Sequence, residues 1–70
     1  MYTYKVALHC SSVEIVKTGE SVPFETYQTS SYENARKGCL EFTCEDSACS
    51  AVLLNQKTGN RLYFQDGQEK

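Results

Sequence analysis

The sequence predicts a small α+β domain: an antiparallel sheet of four or five strands with one helix packed on one face, in the order β-hairpin, helix, β-hairpin. Three observations carry this. Residues 2 to 9 alternate, with Tyr2, Tyr4, Val6 and Leu8 on one side and Thr3, Lys5, Ala7 and His9 on the other, which is the period of a half-buried strand. Residues 30 to 42 space their apolar side chains at a helical period. Two almost identical words, Lys17-Thr18-Gly19-Glu20 and Lys57-Thr58-Gly59-Asn60, flank that helix, each with a glycine where a short hairpin loop needs positive φ.

The elements follow in order. After Cys10-Ser11-Ser12, the β-branched stretch Val13-Glu14-Ile15-Val16 reads as a second strand or as the first continued beyond a bulge. The first Lys-Thr-Gly turn then reverses the chain into a strand over residues 22 to 27, where Pro23, lacking an amide hydrogen, belongs at the strand's start or on an open edge. Ser30-Ser31-Tyr32-Glu33 has the spacing of a capping box and opens the helix. Tyr32, Ala35, Cys39 and Phe42 form its apolar stripe, while Glu33, Asn34, Lys37 and Glu41 take the far side. Glu33 and Lys37, four apart, add about 0.3 kcal/mol, whereas Gly38 costs about 1 kcal/mol relative to alanine and marks close packing or a weak spot. Glu45-Asp46-Ser47 ends the helix without a glycine cap. Cys49 to Leu54 then reads as a buried strand, and the second turn leads into Arg61-Leu62-Tyr63-Phe64-Gln65, with Leu62 and Phe64 on one face. Residues 66 to 70 read as a frayed polar tail of a single domain covering residues 1 to 70.

Composition narrows the function. A chain of 70 residues buries only about 60% of the surface its unfolded form exposes, so a tight partner or a homodimer is expected to help it. Seven basic and nine acidic side chains give a net charge of −2 with no basic run, which disfavours a general nucleic-acid binder. No stretch approaches the roughly 20 apolar residues of a membrane span, and the opening Met-Tyr-Thr-Tyr-Lys holds no signal-peptide core. A soluble, cytoplasmic protein with reduced thiols is the expectation.

Each candidate site has a plainer reading beside it. Cys39, Cys44 and Cys49 are evenly spaced and, with His9 or Cys10, suggest zinc; but Cys39 and Cys44 would lie about 140° apart on a helix, and small apolar packing explains them as well. A Cys44-Cys49 or Cys10-Cys39 disulfide is the other use of these thiols. His9 and Cys10, neighbours on a strand, point to opposite faces and are poorly placed as base and nucleophile. No catalytic residue, cofactor or metal is therefore assigned. Glu41, Glu45 and Asp46 gather at the helix C-terminus, where carboxylates oppose the macrodipole, and make either a solvated face or a patch for a basic partner. Tyr63 and Arg61 share the strand face opposite Leu62 and Phe64; with Lys57 and Asn60 at the loop they form the preferred partner-binding surface, read against ordinary cross-strand pairing.

The layout resembles small phage and mobile-element proteins, including some anti-CRISPR inhibitors of type I systems. The matching pieces are Phe24-Glu25 on a strand, Ser31-Tyr32-Glu33-Asn34-Ala35-Arg36-Lys37 opening a helix, and Leu62-Tyr63-Phe64-Gln65-Asp66-Gly67 closing the last strand, roughly residues 22 to 67. The resemblance implies a small antiparallel sheet with one helix, no catalysis, and inhibition by occupying a surface of the CRISPR surveillance complex that would otherwise meet nucleic acid. Some such inhibitors use basic side chains, whereas this chain is mildly acidic. The expectation is thus a non-enzymatic protein-binding inhibitor or regulator of a larger host complex or ribonucleoprotein. The alternative is a small nucleic-acid-binding regulator using Lys5, Lys17, Arg36, Lys37, Lys57 and Arg61.

Overall fold

In the computed structural model, which describes residues 2–70, the alternating N-terminal segment becomes strand β1 (Tyr4–His9). A short helix α1 (Val13–Thr18), β2 (Glu25–Thr29), the main helix α2 (Tyr32–Glu45), β3 (Ser50–Asn55), β4 (Arg61–Gln65) and β5 (Gln68–Glu69) follow. The strands form one antiparallel sheet in the order β2-β1-β3-β4-β5. This is the α+β architecture that the sequence predicts, 29% helix and 35% strand.

Alternation along the strands sends Val6 and Leu8 of β1, Ala51 and Leu53 of β3 and Phe64 of β4 to one face, where Ala35 and Cys39 of α2 complete the core. Thr43 extends the α2 stripe by one more turn: it is fully buried because its hydroxyl donates to the Cys39 carbonyl at 2.8 Å. Tyr32 is exposed and meets Tyr4 edge-on at 5.5 Å, and Phe42 closes the other end of the core against Phe24 at 5.6 Å. Phe64 is the largest fully buried side chain, so its truncation to alanine would remove about 3–5 kcal/mol.

Several local expectations need correction. The strand expected over residues 22 to 27 runs instead over Glu25–Thr29, and Pro23 and the exposed Val22 precede it. Residues 13 to 16 form neither a second strand nor a continuation of the first; they begin α1. The end signals outweigh β propensity here: Glu14 sits in the first turn and Lys17 in the last, both complementing the helix dipole, and Val13 is buried. The first Lys-Thr-Gly word therefore caps a helix, with Gly19 at φ 82° and its amide donating to the Val16 carbonyl at 3.1 Å. The second word is the hairpin loop expected of it, with Gly59 at φ 79° donating to the Asn55 carbonyl at 2.7 Å. The cap of α2 sits at Ser31, not Ser30, because the Ser31 hydroxyl accepts from the Asn34 amide at 3.2 Å. The helical ion pair joins Lys37 to Glu41 at 3.9 Å, not to Glu33 as expected, with both partners exposed. Finally, the tail is not frayed at residues 66 to 69. Asp66 (φ 57°) and Gly67 (φ 69°) make a two-residue reversal with both φ positive, the hairpin turn favoured by Asp-Gly. The Gly67 amide donates to the Thr43 hydroxyl at 3.2 Å, which ties β5 to α2.

Gly38 lies directly under the Tyr27 hydroxyl, and an added Cβ there would collide with it. Gly38→Ala should therefore destabilise the protein by about 1–2 kcal/mol despite alanine's better helix propensity. In a Tyr27→Phe background the same change should stabilise by about 1 kcal/mol, since the blocking oxygen is gone. Urea unfolding of the four proteins measures the cycle; an unchanged sign in both backgrounds would rule out the contact as the cause.

Candidate functional site

The sheet face away from α2 holds the outward members of the same alternation. Two cross-strand rows follow from the register: Gln28, Lys5, Leu54 and Arg61, and beside them Thr26, Ala7, Val52 and Tyr63. Helix α1 returns over this face, so that Val16, Lys17, Thr18 and Gly19 wall a groove of about 410 Å³ whose floor is Ala7, Val52 and Leu54. Lys5, Lys17 and Arg61 line it, and among the described residues no carboxylate does.

Specific bonds hold the wall in place. The Val13 amide donates to Gln65 Oε1 at 3.0 Å, and the Ser50 hydroxyl donates to the Ser11 carbonyl at 2.6 Å. Lys17 Nζ stands 5.0 Å from the centre of the Tyr63 ring, a cation–π contact worth about 0.5–1 kcal/mol. His9, at the groove's end, is hydrogen-bonded through Nδ1 to the Ser21 hydroxyl at 3.0 Å. Burial pushes its pKa below the ordinary 6.5, so at neutral pH His9 is uncharged and the groove's charge comes from the two lysines and the arginine.

The seven residues expected at the contact surface fall in different places. Tyr63 and Arg61 lie in the groove. Lys57 is exposed at the β3–β4 loop, its amide bonded to Asn55 Oδ1 at 2.9 Å. Asn60 lines a hollow of about 200 Å³ with Tyr4, Tyr32 and Leu62, beside the α2 face of the sheet. Glu41 and Glu45 are exposed on α2, and Asp46 caps the following loop, its Oδ1 accepting from the Ala48 amide at 2.9 Å. A larger hollow, about 710 Å³, runs along the exposed side of α2. Only that helix lines it, and its charges are mixed, Glu33 and Glu41 beside Arg36 and Lys37. The outer groove, built by four elements with charge of one sign, is the better-defined site.

Lys17 is the groove residue whose place the strand reading hides. As a strand residue it would lie remote from Tyr63; only as the last turn of a helix folded back over the sheet does it reach the ring. The signal was present in the helix-type charge order, Glu14 first and Lys17 last. The chain matches no protein-family model, no curated protein and no solved structure. Function must therefore be argued from the groove itself.

The cysteines distribute as two buried and two exposed free thiols, Cys39 and Cys49 against Cys10 and Cys44. Neither expected disulfide, Cys44-Cys49 or Cys10-Cys39, is present. Burial in the core pushes the Cys39 thiol up to about 12, which keeps it protonated and unreactive. Among the described residues no three His, Cys, Asp or Glu side chains converge as metal ligands.

The His9 environment makes a pH prediction. Because folding lowers its pKa, the unfolded chain takes up the proton first; this stability is intact above 6.5 and is lost as pH falls through 6.5 toward the folded value. The melting midpoint should fall between about pH 7 and pH 5.5, and less so in His9→Gln, which removes the titration. Equal pH dependence in wild type and variant would assign the effect to other groups.

Proposed function

We propose that the protein is a non-enzymatic binder that docks through the outer groove of its sheet on an acidic surface of a larger host complex, and inhibits or regulates that complex by occupying it. The observation that supports this reading is an apolar floor rimmed by Lys5, Lys17 and Arg61 with no carboxylate among the described lining residues, in a chain whose net charge is −2. Three of the seven basic side chains thus line one groove without a carboxylate among them. An apolar centre with a polar rim is the anatomy of protein interfaces, and tyrosine and arginine supply most of their hot spots. The most concrete form, carried by the resemblance of residues 22 to 67, is an inhibitor of a type I CRISPR surveillance complex.

The test is affinity capture from a host lysate followed by titration calorimetry with the captured partner. Tyr63→Ala should weaken binding by about 30-fold or more, the effect of losing a hot spot of 2 kcal/mol. The double reversal Lys5→Glu with Arg61→Glu should abolish it, while Glu45→Gln should leave it unchanged. Wild-type affinity in the first two variants would refute the groove as the contact surface.

The gathering of Lys5, Lys17 and Arg61 on one face also supports the second reading, a small nucleic-acid-binding regulator. Three phosphate contacts would give a salt slope of about −2.7 in log K against log salt on duplex DNA. A gel shift at two salt concentrations separates the readings: no shift at low salt excludes nucleic acid. Arg36 and Lys37, on α2, would contribute to neither.

A further inference from the structure

The paired register ends at His9 with Ser50, and one step beyond it, just outside the two strands, Cys10 and Cys49 are the next residues along the two chains. The Gln56 amide donates to the Thr3 carbonyl at 2.8 Å, which makes Thr3 and Gln56 a hydrogen-bonded pair. Hydrogen-bonded and non-hydrogen-bonded pairs alternate along an antiparallel ladder, and Cys10 with Cys49 is an odd number of steps away. Continued for that one step, the alternation would put the two cysteines at a non-hydrogen-bonded position, the kind that holds Cα atoms about 4.5 Å apart with side chains close on one face. A disulfide needs about 4.4–6.8 Å. Cys10 and Asp46 both lie near enough to the Cys49 thiol to raise its pKa, after the larger effect of burial. Cys10 is exposed and Cys49 buried, so one thiol meets solvent and the other waits behind it.

We propose that Cys10 and Cys49 are a reversible dithiol–disulfide couple, oxidised by exchange with a small disulfide of the oxidised-glutathione class. The Cys10 thiolate attacks one sulfur of the small disulfide, forming a mixed disulfide and releasing one glutathione thiolate, which takes up a proton. Cys49 then gives its proton to solvent or to the neighbouring Asp46 carboxylate, and its sulfur attacks Cys10 Sγ. The mixed disulfide breaks and the second glutathione leaves. Two protein thiols are oxidised by two electrons in all, and one small disulfide is reduced to two thiols.

The environment assigns the two roles. Burial, and after it Asp46 and Cys10, push the Cys49 thiol up to about 11, which suits a resolving sulfur that reacts only with a neighbour already held against it. Cys39 is sealed in the core, and the exposed Cys44 lies on α2 against Gly67. The cross-link would join the end of β1 to the start of β3 at the foot of the segment that carries α1.

The experiment treats the folded protein with oxidised glutathione, blocks remaining thiols by alkylation and maps the products by peptide mass. The expected products are a Cys10–Cys49 cross-link and a glutathione adduct at Cys44. The melting midpoint should rise by on the order of 10 °C through closure of a long loop, and reductant should reverse it. Cys49→Ser, or Cys49→Ala if the serine variant folds poorly, should trap the mixed disulfide on Cys10, and Cys10→Ser should give no cross-link. A wild-type protein that accumulates a stable Cys10 adduct while Cys49 stays alkylatable, or that links Cys10 to Cys44, would overturn the proposal.

Discussion

Strand β1 pairs along both of its edges, with β2 on one side and β3 on the other, and its alternation decides which side chains reach each face of the sheet. Val6 and Leu8 meet α2 while Lys5, Ala7 and His9 turn outward, so the core and the groove are two consequences of one six-residue register. A slip by a single residue would bury Lys5 and Ala7 under α2 and expose Val6 and Leu8. Burying an unpaired lysine is costly enough to make the observed register strongly preferred. The rows across β3 and β4 inherit the same parity, which is why Tyr63 and Arg61 sit beside Val52 and Leu54 rather than in the core.

What could be read from residues alone depends on how far each signal reaches. Period-2 alternation in residues 2 to 9 and the stripe through Ala35 and Cys39 are patterns over many residues; the first survives from Tyr4 to His9, Tyr2 and Thr3 lying outside the strand, and the second survives in α2. Residues 13 to 16 are different: four residues cannot establish a period, and the choice between strand and helix fell to Glu14, Lys17 and Gly19 near the ends. The two Lys-Thr-Gly words illustrate the same limit. Each ends in a left-handed glycine whose amide returns to a carbonyl just upstream, yet one closes a helix and the other joins two strands. Asp66-Gly67 carried a strong hairpin signal that the polar composition of the tail obscured, and the buried Thr43 that receives the Gly67 amide lies far away in sequence. Of the candidate site, Tyr63 and Arg61 were legible from strand parity. Lys17 was not, because its position depends on a helix folded back across the sheet.

Charge shows why average composition says little about a surface. A net charge of −2 describes the whole chain, but the groove is lined by three cations, and the exposed side of α2 carries carboxylates and cations together. Strand parity and the last turn of α1 together create that separation. The contact between Lys17 and Tyr63 ties α1 to β4 across the groove and puts an aromatic ring in its lining. A small core helps explain the reliance on such local ties. Val13 bonded to Gln65, Ser50 to Ser11 and Gly67 to Thr43 each fasten a peripheral segment to the sheet or to α2.

The central claim is that one parity places Tyr63 with Lys17 on the outer face while Phe64 packs beneath α2. Solution NMR tests it most directly, through nuclear Overhauser contacts of the Tyr63 ring. The account predicts contacts from that ring to the Lys17 side chain, which the ring current should shift upfield, and to Val52. Contacts from the Tyr63 ring to Ala35 or Cys39 of α2 would contradict it, because they would require the opposite parity and a different groove.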